Sequence, residues 1–180
     1  MRTLTRLVAA VVTAAVVPAC SVVASSVAHA YPVATTAAVL KVVDGDTVDI
    51  VDDVRGRLRI RLLGIDTPET KKPGYTVGCS GLQASEFAES TLLGQRVAFV
   101  TDPSQGMYDR YGRTLANLDK ADGWDYSVEA ARAGAAYSYV SHGHPSARAD
   151  EIAAAEQEAK AAGRGLWGPP CLSQTTSVPI

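Results

Sequence analysis

Residues 55–62 read RGRLRIRL, with Arg55, Arg57, Arg59 and Arg61 on one parity and Leu58, Ile60 and Leu62 on the other. A period of two is that of a strand with one buried face, and it is incompatible with a helix. The strand needs an apolar layer beneath its leucines and a use, or merely water, for its arginines. Partner strands are close by. AVLKVV at 38–43 and TVDIV at 47–51 precede it with a turn at Asp52-Asp53, and RVAFVT at 96–101 and RTLANL at 113–118 follow, the last ending before a turn at Ala121-Asp122-Gly123.

Three helical stretches complete the pattern. SGLQASEFAESTLL has the form of a capping box, with Ser80 as N-cap and Gln83 three residues later, and stops at Gly94. SVEAARAG at 127–134 is short, and ARADEIAAAEQEAKAAG at 147–163 is longer, with glycine past its end and Trp167 beyond as a core anchor. Five strands with a helix after the third and two more helices later predict a mainly β, α+β chain. Its natural architecture is an OB-fold, a five-stranded barrel with about three helices. The expected domain spans 38–168, preceded by a linker at 31–37 and followed by a tail at 169–180 that is flexible beyond Cys171.

The first thirty residues are of another kind. MRTLTR, an apolar stretch and Ala28-His29-Ala30 form the pattern of a secretory signal peptide cleaved after Ala30. Pro18 and Ser25-Ser26 leave no apolar run of the ~20 residues that spanning requires. The expectation is therefore a secreted protein without a transmembrane span. A rival cleavage at Val17-Pro18-Ala19-Cys20 resembles a lipobox and would instead leave a surface protein anchored through Cys20. Removing residues 1–30 takes Arg2 and Arg6 and leaves 15 basic against 19 acidic residues, a formal charge of −4, so binding to a polyanion needs a local basic patch. Cys79 and Cys171 remain under either processing route. An even pair in an exported chain is most economically a disulfide, with two buried thiols as the alternative.

Two acidic turns interrupt the apolar strands, VVDGDTV at 42–48 and GIDTPET at 64–70. Asp44, Asp46, Asp66 and Glu69 offer hard oxygens without histidine or thiolate, a donor set for calcium or magnesium. Asp-Gly is also an ordinary turn dipeptide, and Asp44 is the candidate for that role or for a place just behind the ligands. DRYGRTL at 109–115 adds Arg113 where a strand begins. Acidic groups that bind a metal, together with arginines, suit phosphodiester hydrolysis: the cations match transition-state charge and a carboxylate orients or deprotonates water.

VVDGDTV, RLLGIDTPET, YDRYGRTLA and GRGLWG, in this order, resemble the thermonuclease family, staphylococcal or micrococcal nuclease-like enzymes. The resemblance implies an OB-fold, calcium dependence, and hydrolysis of DNA and RNA with little sequence preference that leaves 3′-phosphate ends. It implies Asp46 and Asp66 as calcium carboxylates, with Thr67 offering its backbone carbonyl. Glu69 matches the general base or water-orienting carboxylate, and Arg61 and Arg113 the two phosphate-binding arginines. Arg61 is also the strand arginine nearest the acidic turn. Arg110 stands where the family often has lysine, beside Tyr111, which stacks on substrate or packs at the barrel mouth. Tyr137 and Tyr139 lie slightly out of register with a later substrate tyrosine; one of them stacks on a base, or both pack in the core. Lys71 and Lys72 read as solvated loop charges, and His142 and His144 as exposed. No protein partner is implied, and a monomer is expected. The other classes compatible with these residues are a noncatalytic OB-type nucleic-acid-binding module and a calcium-stabilised surface protein.

Overall fold

The computed structural model describes residues 32–180. The expected signal peptide and Cys20 lie outside the described residues. Strands β1 (Ala37–Asp44), β2 (Thr47–Asp52) and β3 (Gly56–Leu62) form an antiparallel meander, and β4 is a two-residue strand at Ile65–Asp66. Helix α1 (Gly81–Leu92), β5 (Arg96–Val100), β6 (Thr114–Asp119), α2 (Tyr126–Ala133), β7 (Tyr137–Ser138) and α3 (Ala149–Ala161) follow. A single 3₁₀ turn at Gly165–Trp167 comes last.

The barrel closes in the order β1-β2-β3-β6-β5. Its closure depends on two non-local pairings. β6 runs parallel to β3, with Ile60 opposite Thr114, and β5 returns to β1 through Ala37 and Val97. This is the five-stranded barrel with three helices that the strand pattern predicts. The small β4-β7 sheet lies outside that pattern and ties the second acidic turn to Tyr137-Ser138.

Alternation in β3 becomes a division between core and surface. Ile60 and Leu62 are buried with Val39, Val48, Ile50, Val97 and Leu118, while Arg57 and Arg59 face outward. Helix α1 seals the barrel with Ala84, Ala88 and Leu92, and α3 adds Ile152, Ala155 and Ala159. In the 3₁₀ turn Leu166 is the buried residue; Trp167 is only half-buried and packs edge-on against Tyr137 at 5.1 Å.

Helix α1 starts where the capping box places it, but by another device. Ser80 has φ of 67° and its side chain makes no capping hydrogen bond. The neighbouring Gly81 is buried so tightly that a Cβ would meet Thr70 Cγ2 at 2.8 Å and the Pro68 carbonyl at 3.1 Å. Close packing, and no side-chain cap, sets this helix entry. Helix α2 does have a conventional cap, since Asp125 Oδ1 accepts from the backbone N–H groups of Ser127 and Val128 at 2.8 and 3.2 Å.

Cys79 and Cys171 are disulfide-bonded, with Cα atoms 5.7 Å apart across 92 residues of sequence. Beyond Cys171 the tail folds back along the 74–78 segment. Thr76 N–H donates to the Val178 carbonyl at 2.8 Å, and Ile180 N–H to Gly74 at 3.0 Å. Composition alone suggests a free tail; these hydrogen bonds dock it instead. Among the described residues no helix is long and apolar enough to cross a membrane.

Candidate active site

The two acidic turns meet because Gly45 has no side chain. A Cβ there would lie 2.8 Å from Thr67 Cγ2 and 2.9 Å from Ala84 Cβ, so only glycine lets the β1–β2 turn rest on the second turn and on α1. From beneath, the buried Tyr126 hydroxyl donates to the Gly45 carbonyl at 2.6 Å. Asp44 Oδ1 accepts from Asp46 N–H at 3.2 Å, the turn-forming role its dipeptide suggests. Burial, then the neighbouring Asp46 charge, pushes the Asp44 carboxyl up to about 6.

Asp46 gathers the site. Its Oδ2 accepts from Thr67 N–H and Oγ1 at 3.2 and 3.3 Å, and its Oδ1 from Thr47 Oγ1 at 2.9 Å. Arg61 faces it with Nη2 3.3 Å from Asp46 Oδ2 and 2.9 Å from Asp66 Oδ1. The other nitrogen, Nη1, donates to the Leu62 and Ile65 carbonyls at 2.7 and 2.9 Å, so this guanidinium is fixed at both ends. Desolvation raises the Asp66 carboxyl although its side chain is 54% exposed; Arg61 opposes the rise, and Asp46 and Glu69 add to it.

Arg113 enters from the start of β6. Its Nε donates to Asp109 Oδ2 at 2.6 Å and its backbone N–H to Asp109 Oδ1 at 2.9 Å. Burial would raise the Asp109 carboxyl, but the hydrogen bonds from Arg113 and Tyr111 outweigh it and hold the group below its ordinary value. Arg113 Nη1 then reaches Thr47 Oγ1 at 3.1 Å. A chain of hydrogen bonds, joined at Asp46 and Arg61 by an ion pair, thus runs from Asp109 through Arg113, Thr47, Asp46 and Arg61 to Asp66.

These groups line an open cleft of about 1080 Å³. It brings together all ten residues singled out in the sequence: Asp46, Arg61, Asp66, Thr67, Glu69, Arg110, Tyr111, Arg113, Tyr137 and Tyr139. Glu69 is exposed; its Oε1 accepts from Lys71 N–H at 2.8 Å, and its carbonyl from Gly78 N–H at 2.7 Å. Tyr111 is 68% exposed, with the guanidiniums of Arg110 and Arg113 4.7 and 5.5 Å from its ring centre, so it lies open at the cleft and outside the core. The two later tyrosines differ. The Tyr137 hydroxyl is held by the tail, donating to the Ser173 carbonyl at 3.0 Å and lying 2.7 Å from Thr175 Oγ1, whereas Tyr139 is exposed. Lys72, His142 and His144 also line the cleft, while Arg57 and Arg59 pair with Asp49.

Three residues join the site without having been singled out: Thr47, Asp109 and Tyr126. The first two sit inside the DGDT and DRYGR motifs, where a hydroxyl beside a carboxylate and an Asp four residues before an Arg were the available signals. Tyr126 carries no such signal, because its pairing with Gly45 spans 81 residues. Asp46, Asp66 and the Thr67 carbonyl could hold a cation. Their hard oxygens suit calcium or magnesium.

The family model described as staphylococcal nuclease homologue matches residues 59–169. A thermonuclease of Staphylococcus hyicus is 45% identical over 78 residues, 43% of this chain and 44% of the relative. A thermonuclease of Staphylococcus intermedius is 42% identical over 98 residues, 54% of this chain and 56% of the relative. An Escherichia coli O157:H7 protein described as an uncharacterized endonuclease is 33% identical over 129 residues, 72% and 74% of the two chains. The chain spans about half the length of the two thermonucleases it matches. The matched segment runs from Arg59 to Pro169 and takes in the second half of β3, Arg61, Arg113 and the second acidic turn, and on that span the chain belongs to the staphylococcal nuclease homologue family.

Proposed function

We propose that this protein is an exported, calcium-dependent nuclease that hydrolyses phosphodiester bonds of DNA and RNA with little sequence preference. The observation that carries the reading is the chain of hydrogen bonds and one ion pair from Asp109 to Asp66, which aims two guanidiniums and two carboxylates into one cleft beside the exposed Glu69.

In this reading Asp46, Asp66 and the Thr67 carbonyl hold calcium. When bound, the ion polarises a phosphoryl oxygen and offsets its charge. Arg61 and Arg113 contact the same phosphate and gain strength as its transition state acquires charge. Glu69 orients or deprotonates the attacking water. Tyr111 and Tyr139 present exposed rings for stacking, which tolerates any base, and Arg110 adds a cation at the rim. Tyr137 serves the cleft wall, since its hydroxyl is bound to the tail. Products ending in 3′-phosphate follow from the family resemblance. The nuclease domain is placed at 38–168, in a monomer secreted after cleavage at Ala30 or held at the surface through a lipidated Cys20; the intact mass of the exported protein distinguishes the two.

The test is digestion of single-stranded and duplex DNA and RNA by residues 31–180, in calcium and in a chelator, beside Glu69→Ala and Arg113→Ala. Calcium-dependent cleavage that collapses in both folded variants is the expected result. Wild type that binds nucleic acid and never cuts it in calcium would overturn the enzyme reading in favour of a noncatalytic binding module.

A further inference from the structure

An acidic protein that degrades a polyanion needs a local basic surface, and the cleft alone accommodates little of a long strand. Beside it, sharing Tyr111 and Arg113 with the cleft, is a shallower groove of about 410 Å³ whose other wall is formed by Arg57 and Arg59 above Asp49. The two arginine side chains are 67% and 52% exposed, and the Asp49 side chain is 4% exposed. Arg57 Nη2 donates to Asp49 Oδ2 at 3.1 Å, and Arg59 donates through Nε to Oδ1 at 2.7 Å and through Nη2 to Oδ2 at 3.1 Å.

One carboxylate lying beneath two guanidiniums fixes their direction without cancelling their charge. Hydrogen bonds from Arg59 and Arg57 hold the Asp49 carboxyl below its ordinary value, so the clamp persists across neutral pH. Arg57 Nε and Nη1 and Arg59 Nη1 have no protein partner among the described residues and remain available to another acceptor. Arg57, Arg59 and Arg61 share one parity of β3, so this face of the strand carries cations from the groove, where the first two meet over Asp49, to the cleft, where Arg61 ends.

We infer that this groove is a second nucleic-acid site, in which Arg57 and Arg59 bind the phosphates of a single strand running out of the cleft past Tyr111. The inference rests on the nuclease reading for what occupies the cleft, and the groove itself takes phosphodiester backbone of either sugar. Its consequence is a preference for long strands over short ones, produced by backbone contacts that ignore sequence.

The test compares wild type with Arg57→Gln/Arg59→Gln, which keeps donors over Asp49 and removes the charge. Binding of polydeoxythymidylate is measured in a chelator across a salt series, and cleavage of polydeoxythymidylate and of a trinucleotide in calcium. Removing two phosphate contacts is expected to flatten the slope of log K against log salt by about 1.4, at 0.7 per contact on a single strand, and to lower kcat/KM on the long strand relative to the trinucleotide. Arg96→Ala/Lys41→Ala, which removes the same charge from residues lining neither depression, is expected to leave that slope in place. If the Gln pair folds poorly, adding Asp49→Asn removes the bare carboxylate and repeats the comparison. A wild type that cuts the trinucleotide while sharing one salt slope with the Gln variant sinks the groove and leaves the nuclease reading standing. A wild type that cuts nothing, yet loses polydeoxythymidylate binding only in the Gln variant, keeps the groove and sinks the nuclease reading.

Discussion

Replacing Tyr126 by phenylalanine removes one oxygen atom from the floor of the site. The ring is fully buried between Phe87 and Trp124, with centroids 5.9 and 6.1 Å away, and phenylalanine fills the same space. Only the hydroxyl's bond to the Gly45 carbonyl at 2.6 Å is lost. Burial, then the charges of Asp46 and Asp44, pushes the phenol far above its ordinary range, so it remains a donor at every usable pH. Stranding a buried carbonyl costs about 1–3 kcal/mol. With a urea slope of about 2 kcal/mol per molar, the unfolding midpoint is expected to fall by roughly 0.5–1.5 M. Because the bonded carbonyl belongs to the turn bearing Asp46, calcium titration of the folded variant is also expected to show weaker binding. A midpoint within about 0.2 M of wild type would refute the energetic reasoning. A lower midpoint with unchanged calcium affinity would show that Gly45's contact with Thr67 and Ala84, and not the phenol, shapes the turn.

Arg61→Lys retains the charge but cannot span the Leu62 and Ile65 carbonyls together with Asp46 and Asp66, and it is expected to lose on the order of a hundredfold in kcat. Initial rates near wild type would refute the need for the fork. Cys79→Ser/Cys171→Ser opens a closure of 92 residues and is expected to cost about 4–5 kcal/mol in guanidinium melts, with no loss in the absence of reductant counting against the closure. Asp49, Asp102 and Asp109 have carboxyls held below their ordinary values, so their stabilisation is present above the unfolded value, about 3.9, and is lost as pH falls through the folded ones. Asp44, Asp66 and Asp125, whose carboxyls are raised, act in the opposite sense at higher pH, so melting temperatures are expected to fall only from about pH 4 to about pH 2, and a rise there would contradict the sign. Calcium at a hundredfold its Kd is expected to stabilise wild type by about 2.7 kcal/mol, and Asp66→Asn at the same concentration by less; equal gains would remove Asp66 from the metal site.

What the sequence disclosed depended on the range of the interaction. β3 was legible because its alternation is local, and the charge of Arg61 pointed to Asp66 in the acidic turn five residues on. The roles of Asp44 as a turn former and of Gly94 as a helix stop were local too. Closure of the barrel was legible only as a count of strands, since nothing in RTLANL specifies a parallel register that brings Arg113 to Thr47, 66 residues away. Ser80 shows the opposite failure: its motif was local and correctly placed, but the packing of Gly81 against Pro68 and Thr70 took the place of the cap. The docking of the tail was similarly hidden, because Val178 and Ile180 bind through backbone groups to a segment about a hundred residues away.

The same difference in range divides the site into two mechanical parts. Asp46, Arg61 and Arg113 stand at the ends of barrel strands, and each is held by hydrogen bonds to another member of the chain or to backbone carbonyls. Glu69 stands in an irregular segment between β4 and α1, and its restraint comes from elsewhere. Gly78 N–H holds its carbonyl, the Thr175 carbonyl oxygen lies 2.5 Å from where a Gly78 Cβ would be, and the disulfide fixes Cys79 next door. Charge placement therefore depends on the barrel core, while the water-orienting carboxylate of the proposed mechanism depends on the tail. Loosening the tail is expected to lower kcat before it weakens calcium binding, whereas damage under the β1–β2 turn is expected to act in the reverse order. Deleting residues 172–180 and comparing the loss of kcat with the change in calcium affinity tests that division, and a parallel loss of both would show that the tail supports the whole cleft rather than Glu69.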